Sequence, residues 1–194
     1  MVEQLNSKLE SIAQNNSYGL ILFKPDAVEN DLVEILIAHV LSSNPFYGNT
    51  EIKDICILPP INDIEVLRKI YPNLNEKILK NNLRLFSSNS SVALLLKGED
   101  INMWEELDKI KGKVIKNSPH GLQDGLRGIV PVIGEQEAFI KAQHRILNNE
   151  ELTITDKDSL ARNLVHTPDS YSERLYILQL MDTCKESYNN NDEI

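Results

Sequence analysis

YGLILFKPDAV, residues Tyr18–Val28, is the stretch on which the fold turns. Its opening Tyr18–Phe23 is an unbroken apolar run, which predicts a strand buried on both faces. Lys24 closes the run, Pro25 blocks simple continuation, and Asp26 is placed to open a turn or cap the next element. Such a strand needs apolar partners on either side. Thr50–Leu58, stopped by Pro59-Pro60, and Ser91–Lys97, ended by Gly98, supply them. Leu160–His166 offers a further strand through Leu164 and Val165.

Helical spacing fills the intervals. Leu32, Val33, Leu36, Ile37 and Val40 form one apolar face within Asp31–Leu41. Ile64, Leu67, Ile70 and Tyr71 predict a second helix, capped by Asn62 or Asp63. Ile101–Ile110 predicts another, with Trp104 and Leu107, as do Glu135–Leu147 and Ser170–Met181. The alternation predicts an α/β (α+β) sandwich: a ferredoxin-like four-stranded sheet covered by helices. Residues 1–17 form a short polar helix or a tail, with Leu5, Leu9 and Ile12 at helical spacing. Residues 18–184 then make one domain, and the asparagine-rich 185–194 a disordered tail.

A net charge of −9 argues against a general grip on nucleic acid, though not against a local anion site. The two cysteines, Cys56 and Cys184, make no disulfide framework, and Cys56 sits in a core-like run. His39, His120, His144 and His166 are too scattered for zinc. The N-terminus lacks the basic start and apolar stretch of a secretory signal, and no run reaches membrane-span length. A cytoplasmic protein without a membrane partner is expected. Neither GxGxxG nor GxxxxGK[ST] occurs, which sets aside the common dinucleotide and P-loop sites.

Three segments carry the chemistry. Lys24 ends a buried strand and is fixed by the proline after it, an arrangement suited to phosphate. In Gly125-Leu126-Arg127-Gly128, the glycines admit close backbone approach while a guanidinium forks onto phosphate oxygens. In Arg162-Asn163-Leu164-Val165-His166-Thr167-Pro168-Asp169-Ser170, a histidine leaves an apolar strand just before a helix cap. Neutral imidazole is a competent nucleophile near pH 7. Taken singly, each also fits an ordinary surface lysine, a surface turn, or a loop histidine bonded to backbone.

Together and in this order, the three resemble the nucleoside diphosphate kinase family. Lys24-Pro25-Asp26-Ala27-Val28 matches its Lys-Pro-Asp-Gly-Val, with Ala27 for the glycine. Gly125–Gly128 matches its Thr-Ile-Arg-Gly. Asn163, His166, Asp169 and Ser170 match its Asn-x-x-His-Gly-Ser-Asp-Ser, and Tyr71 matches an intermediate tyrosine. The resemblance runs from about Tyr18 to Met181. It implies that His166 takes the γ-phosphoryl group of a nucleoside triphosphate and passes it to a diphosphate. It further implies that Lys24 and Arg127 hold phosphates, that Tyr71 supports the transferring group, and that Asn163 contacts the sugar. Mg²⁺ would arrive with the nucleotide, without a metal site of its own in the protein. A homo-oligomer is compatible with the resemblance.

Several family positions differ. The second phosphate-binding arginine falls near Glu106–Ile110, with Asp108 the nearest match and Lys109 the sole cation there; the loop threonine falls at Lys116. The serine after the histidine is Pro168. The glutamate that orients the histidine falls at Ile177, with Glu173 the nearest carboxylate. The base-stacking phenylalanine is replaced by Ile78 or Leu79. An insertion at about 129–160 separates Arg127 from Asn163, as a surface addition or as a lid or partner surface. Three readings follow: a nucleoside diphosphate kinase, a nucleotide-binding or regulatory module with weak or no catalysis, and a phosphotransferase with an unusual acceptor.

Overall fold

The computed structural model describes residues 2–112, 125–128, 141–142, 144–145, 148, 150–151, 153, 155–156 and 164–189. The apolar runs become strands where expected. They are β1 (Tyr18–Phe23), β2 (Thr50–Leu58), β3 (Ser91–Gly98) and β4 (Val165–His166). Among the described residues the helices are α1 (Val2–Gln14), α2 (Pro25–Glu29), α3 (Val33–Ser42), α4 (Ile64–Ile70), α5 (Glu76–Ser88), α6 (Met103–Lys111) and α7 (Tyr171–Asn189). The sheet runs β2-β3-β1-β4, with every neighbouring pair antiparallel, and this is the ferredoxin-like arrangement.

Two apolar layers account for the unbroken run in β1. Leu20 and Leu22 face one side with Cys56, Leu58, Ala93 and Leu95, under Leu9, Ala13, Leu67, Ile70, Leu79, Phe86, Ile177 and Met181. Ile21 and Phe23 face the other with Val92, Leu94 and Leu96, under Ala27, Leu36, Val40, Met103 and Leu107. Burying each of the larger ones (Val, Leu, Ile, Phe or Met) stabilises the fold by roughly 1.5–3 kcal/mol. Gly19 lets α6 settle directly on β1, because a Cβ there would collide with Leu107 and crowd Met103.

Details depart from the sequence reading in instructive ways. The residues after Lys24 form no simple turn: Pro25 occupies the first position of the short helix α2, where its missing N–H removes nothing. Asp26 is wholly buried, and its carboxylate serves a distant segment. Asp63 caps α4 by accepting from the Glu65 N–H, and Asn75 caps α5 by accepting from the Ile78 N–H. The fourth strand is only two residues long. The last helix continues past Met181 to Asn189. The helix expected over Glu135–Leu147 falls largely outside the described residues.

Strand β2 lies at the sheet edge with a register shift between Ile52 and Asp54. Ile52, Ile55 and Ile57, partners of Leu96, Leu94 and Val92, are exposed despite their apolar character.

Candidate functional site

Strand β4 carries His166 into the sheet opposite Leu22, so the imidazole shares that residue's face. The short ladder is reinforced just before it. Leu164 adopts a left-handed backbone (φ 61°), its carbonyl accepts the Lys24 N–H at 2.8 Å, and its N–H donates to Asp26 Oδ2 at 2.9 Å. A side chain in that conformation costs about 1–2 kcal/mol and persists only where its surroundings hold it. Here Leu164 and Val165 are fully buried in the core layer below. Lys24-Pro25-Asp26 thus anchors the histidine segment through both a backbone and a side-chain bond.

Three expected residues converge. His166 is only 4% exposed, and its ring lies 4.4 Å from that of Tyr71, centroid to centroid. Tyr71 meets Phe86 edge-on at 6.0 Å, which fixes its plane. Lys24, 3% exposed, places its ammonium 5.9 Å from the Tyr71 ring centroid. Arg127 belongs to a short 3₁₀ turn, Gly125–Gly128, seated against α6. Gly125 has φ 61°, and a Cβ there would strike the Ile110 carbonyl and Gly112. The Arg127 side chain, Asn163 and Lys116 lie outside the described residues.

The carboxylate facing the histidine comes from the first turn of α7. Glu173 Oε2 lies 3.4 Å from His166 Nε2, and the same oxygen accepts the Asp169 N–H at 3.0 Å. Its Oε1 accepts the Ser170 hydroxyl at 3.1 Å, and the Glu173 N–H donates back to that hydroxyl oxygen at 3.3 Å. Ser-x-x-Glu here is a variant of the capping box, the glutamate taking the Asp169 N–H rather than that of Ser170, and it has a second duty. Ile177, one turn further on, is fully buried in the core. The carboxylate facing the histidine therefore sits one helical turn earlier than the position that the resemblance points to.

Burial is the main influence on the His166 pKa and pushes it below the ordinary value; Glu173 opposes the shift and Lys24 adds to it. Burial alone would raise the Glu173 pKa, yet the bonds from His166, Asp169 and Ser170 bring it below the usual carboxylate range. The pair is thus a neutral imidazole beside an ionised carboxylate near neutral pH. With Nε2 turned to Glu173, Nδ1 is the ring nitrogen left with a lone pair.

One cation went unnoticed in the sequence. Lys109, expected near the missing arginine, is an exposed partner of Glu106. Lys111 instead is buried at the end of α6 and bonds Asp169 at 3.1 Å and Asp108 at 2.7 Å. Its position just before the glycine that ends α6 was the available signal. Thr167, beside the histidine, is also buried, and its hydroxyl makes no hydrogen bond among the described residues. Of the two candidates for the base platform, Leu79 is fully buried and Ile78 is exposed.

No family model and no curated protein matches the sequence. Solved structures do match. A transition-state mimic of nucleoside-diphosphate kinase from Borrelia burgdorferi, with bound vanadate and ADP, superposes with a TM-score of 0.53 at 13% identity over 84% of each chain. A nucleoside diphosphate kinase family protein from Babesia bovis gives 0.52 at 14% identity, over 84% of this chain and 86% of the other. With the sheet order, the two covered faces and these matches in agreement, the chain has the nucleoside diphosphate kinase-like fold.

Proposed function

We propose that the chain is a phosphotransferase that moves the γ-phosphoryl group of a nucleoside triphosphate to a nucleoside diphosphate through a phosphohistidine on His166. The observation that carries this reading is the buried His166, held between the Tyr71 ring and the Glu173 carboxylate with Lys24 close by. In the first half-reaction, His166 Nδ1 attacks the γ-phosphorus and the bond to the β-phosphate oxygen breaks, releasing the diphosphate. In the second, a β-phosphate oxygen of another diphosphate attacks and the P–N bond breaks. Glu173, whose carboxylate stands 3.4 Å from Nε2, stabilises the positive charge that develops on the ring. Lys24 and Arg127 offset phosphate charge, Lys116 adds a further cation, Tyr71 borders the transferring group, and Asn163 meets the sugar.

Among the described residues no three His, Cys, Asp or Glu side chains gather into a metal site. Mg²⁺ would come with the nucleotide, bound through its own phosphates, whose charge it would screen. Exposed Ile78 offers the base an aliphatic platform in place of an aromatic one. A homo-oligomer is supported by the exposed Ile52, Ile55 and Ile57 along the edge strand.

The second reading, a nucleotide-binding or regulatory module, is favoured by Pro168 and by Lys111, whose ammonium is taken up by Asp108 and Asp169. Intact mass after brief incubation with ATP and Mg²⁺ separates the two. A gain of one phosphoryl group in the parent, absent in His166→Ala and lost on adding a diphosphate, is expected of the transferase. Nucleotide binding without any mass gain would replace it with the module.

A further inference from the structure

The chain has only two cysteines, and the fold brings them to one core layer from distant parts of the sequence. Cys56 lies in edge strand β2 with its side chain in the core layer beneath α7. Its Sγ donates to the Met181 carbonyl of α7 at 3.6 Å. Cys184 follows Met181 by one helical turn, on the same face, and packs against that same core layer. An ion pair between Lys185 and Asp54 ties helix to strand immediately beside it. Both thiols are free.

We propose that Cys56 and Cys184 form a reversible modification site, a dithiol that closes to a disulfide on reaction with a small-molecule disulfide. The order of events follows from exposure. Cys184 is partly exposed, whereas Cys56 is buried. The Cys184 thiolate attacks one sulfur of the reagent and releases the other half as a thiolate. The Cys56 thiolate then attacks Cys184 Sγ in the mixed disulfide and releases the second half. Two protein thiols are oxidised, one reagent disulfide is reduced to two thiols, and the thiol protons go to solvent or to the departing thiolates.

Both thiols resist ionisation. Burial, with a contribution from Cys184, pushes Cys56 up to about 11, and burial also raises Cys184. Exchange is therefore slow at neutral pH and faster as the pH rises. The product would fasten the C-terminal helix, whose first turn carries Glu173, to the edge of the sheet. It also closes a loop spanning most of the chain, so the melting temperature should rise by about 10 °C.

The test is to incubate the full-length protein with oxidised glutathione at about pH 8.5 and follow intact mass and peptide maps without reductant. The expected product is a monomer lighter by the two thiol hydrogens, with the Cys56 and Cys184 peptides linked. Its melting temperature should be raised and should return on adding dithiothreitol. Cys56→Ser should stop at a glutathione adduct on Cys184. A wild-type adduct that stays on Cys184 while Cys56 remains free would overturn the proposal. So would disulfides formed only between chains, or inertness of the folded protein under conditions where the urea-unfolded chain reacts. The outcome is independent of whether His166 becomes phosphorylated.

Discussion

Glu173 faces His166 Nε2 at 3.4 Å with the same carboxylate oxygen that accepts the Asp169 N–H at the start of α7. A helix cap and a histidine partner are one group. The orientation of the imidazole is therefore coupled to the integrity of the helix end, and substitutions there should act on both.

Glu173→Gln preserves shape and some capping while removing the charge that stabilises an imidazolium-like ring. Phosphorylation of His166 should slow by roughly ten- to hundredfold, the worth of a charge-assisted hydrogen bond. Glu173→Ala should add a stability loss of about 1 kcal/mol from the vacated cap. Single-turnover labelling beside urea unfolding separates these effects. A labelling rate for Glu173→Gln equal to the parent's would remove Glu173 from the mechanism.

The pH dependence follows from the direction of the His166 shift. The folded state holds the imidazole neutral, with a pKa below its ordinary 6.5. Below that value the unfolded chain binds a proton that the native state resists. This contribution to stability is fully present above pH 6.5 and declines as pH falls from there through the lower folded pKa. His166→Gln should flatten the profile in that interval, leaving only the carboxylate-driven loss at more acidic pH. Urea midpoints measured across the range provide the check, and parallel profiles for parent and variant would contradict it.

Lys24→Ala should weaken nucleotide triphosphate binding by roughly ten- to hundredfold, because a buried ammonium at a phosphate gives a charge-assisted bond. The fold should survive, since β1 keeps its apolar anchors. Calorimetric titration with a non-hydrolysable triphosphate reads the affinity. An unchanged dissociation constant would sink the phosphate role.

Asp26→Ala should destabilise the protein by about 2–3 kcal/mol, because it leaves the buried Leu164 N–H without an acceptor. Asp26→Asn retains an acceptor oxygen and should cost less. If Asp26 positions the histidine segment, the Ala variant should also label more slowly at temperatures where it remains folded. Equal stability of parent, Asn and Ala variants would show that the bond contributes nothing.

Much of this was legible in the amino-acid order. Tyr18–Phe23 and Ser91–Lys97 announced themselves because central strands of a sheet covered on both faces need apolar residues without alternation. Lys24, Tyr71 and His166 were named from motif order; the fold brings Lys24 and His166 together because β1 and β4 are neighbours, and the end of α4 sets the Tyr71 ring beside them. Other features depend on three-dimensional closure. Asp26 and Leu164 meet across most of the chain, and no local pattern signals that bond. Glu173 was the nearest carboxylate by counting, but its selection over the Ile177 position rests on the geometry of the capping box. Ile52, Ile55 and Ile57 belong to an apolar strand run in sequence and lie open because β2 ends the sheet. The proximity of Cys56 and Cys184 was equally invisible, since each is unremarkable alone.

The clamp on Leu164 bears on how such a chain changes over time. Backbone and carboxylate together grip the residue just ahead of the histidine, so the geometry beyond it is set downstream of whatever precedes it. Additions and deletions upstream of that point are mechanically insulated from the imidazole, much as a ferrule stops the pull on a cable from reaching its terminal. A lineage can lengthen the connection between Arg127 and Asn163 without re-aiming His166.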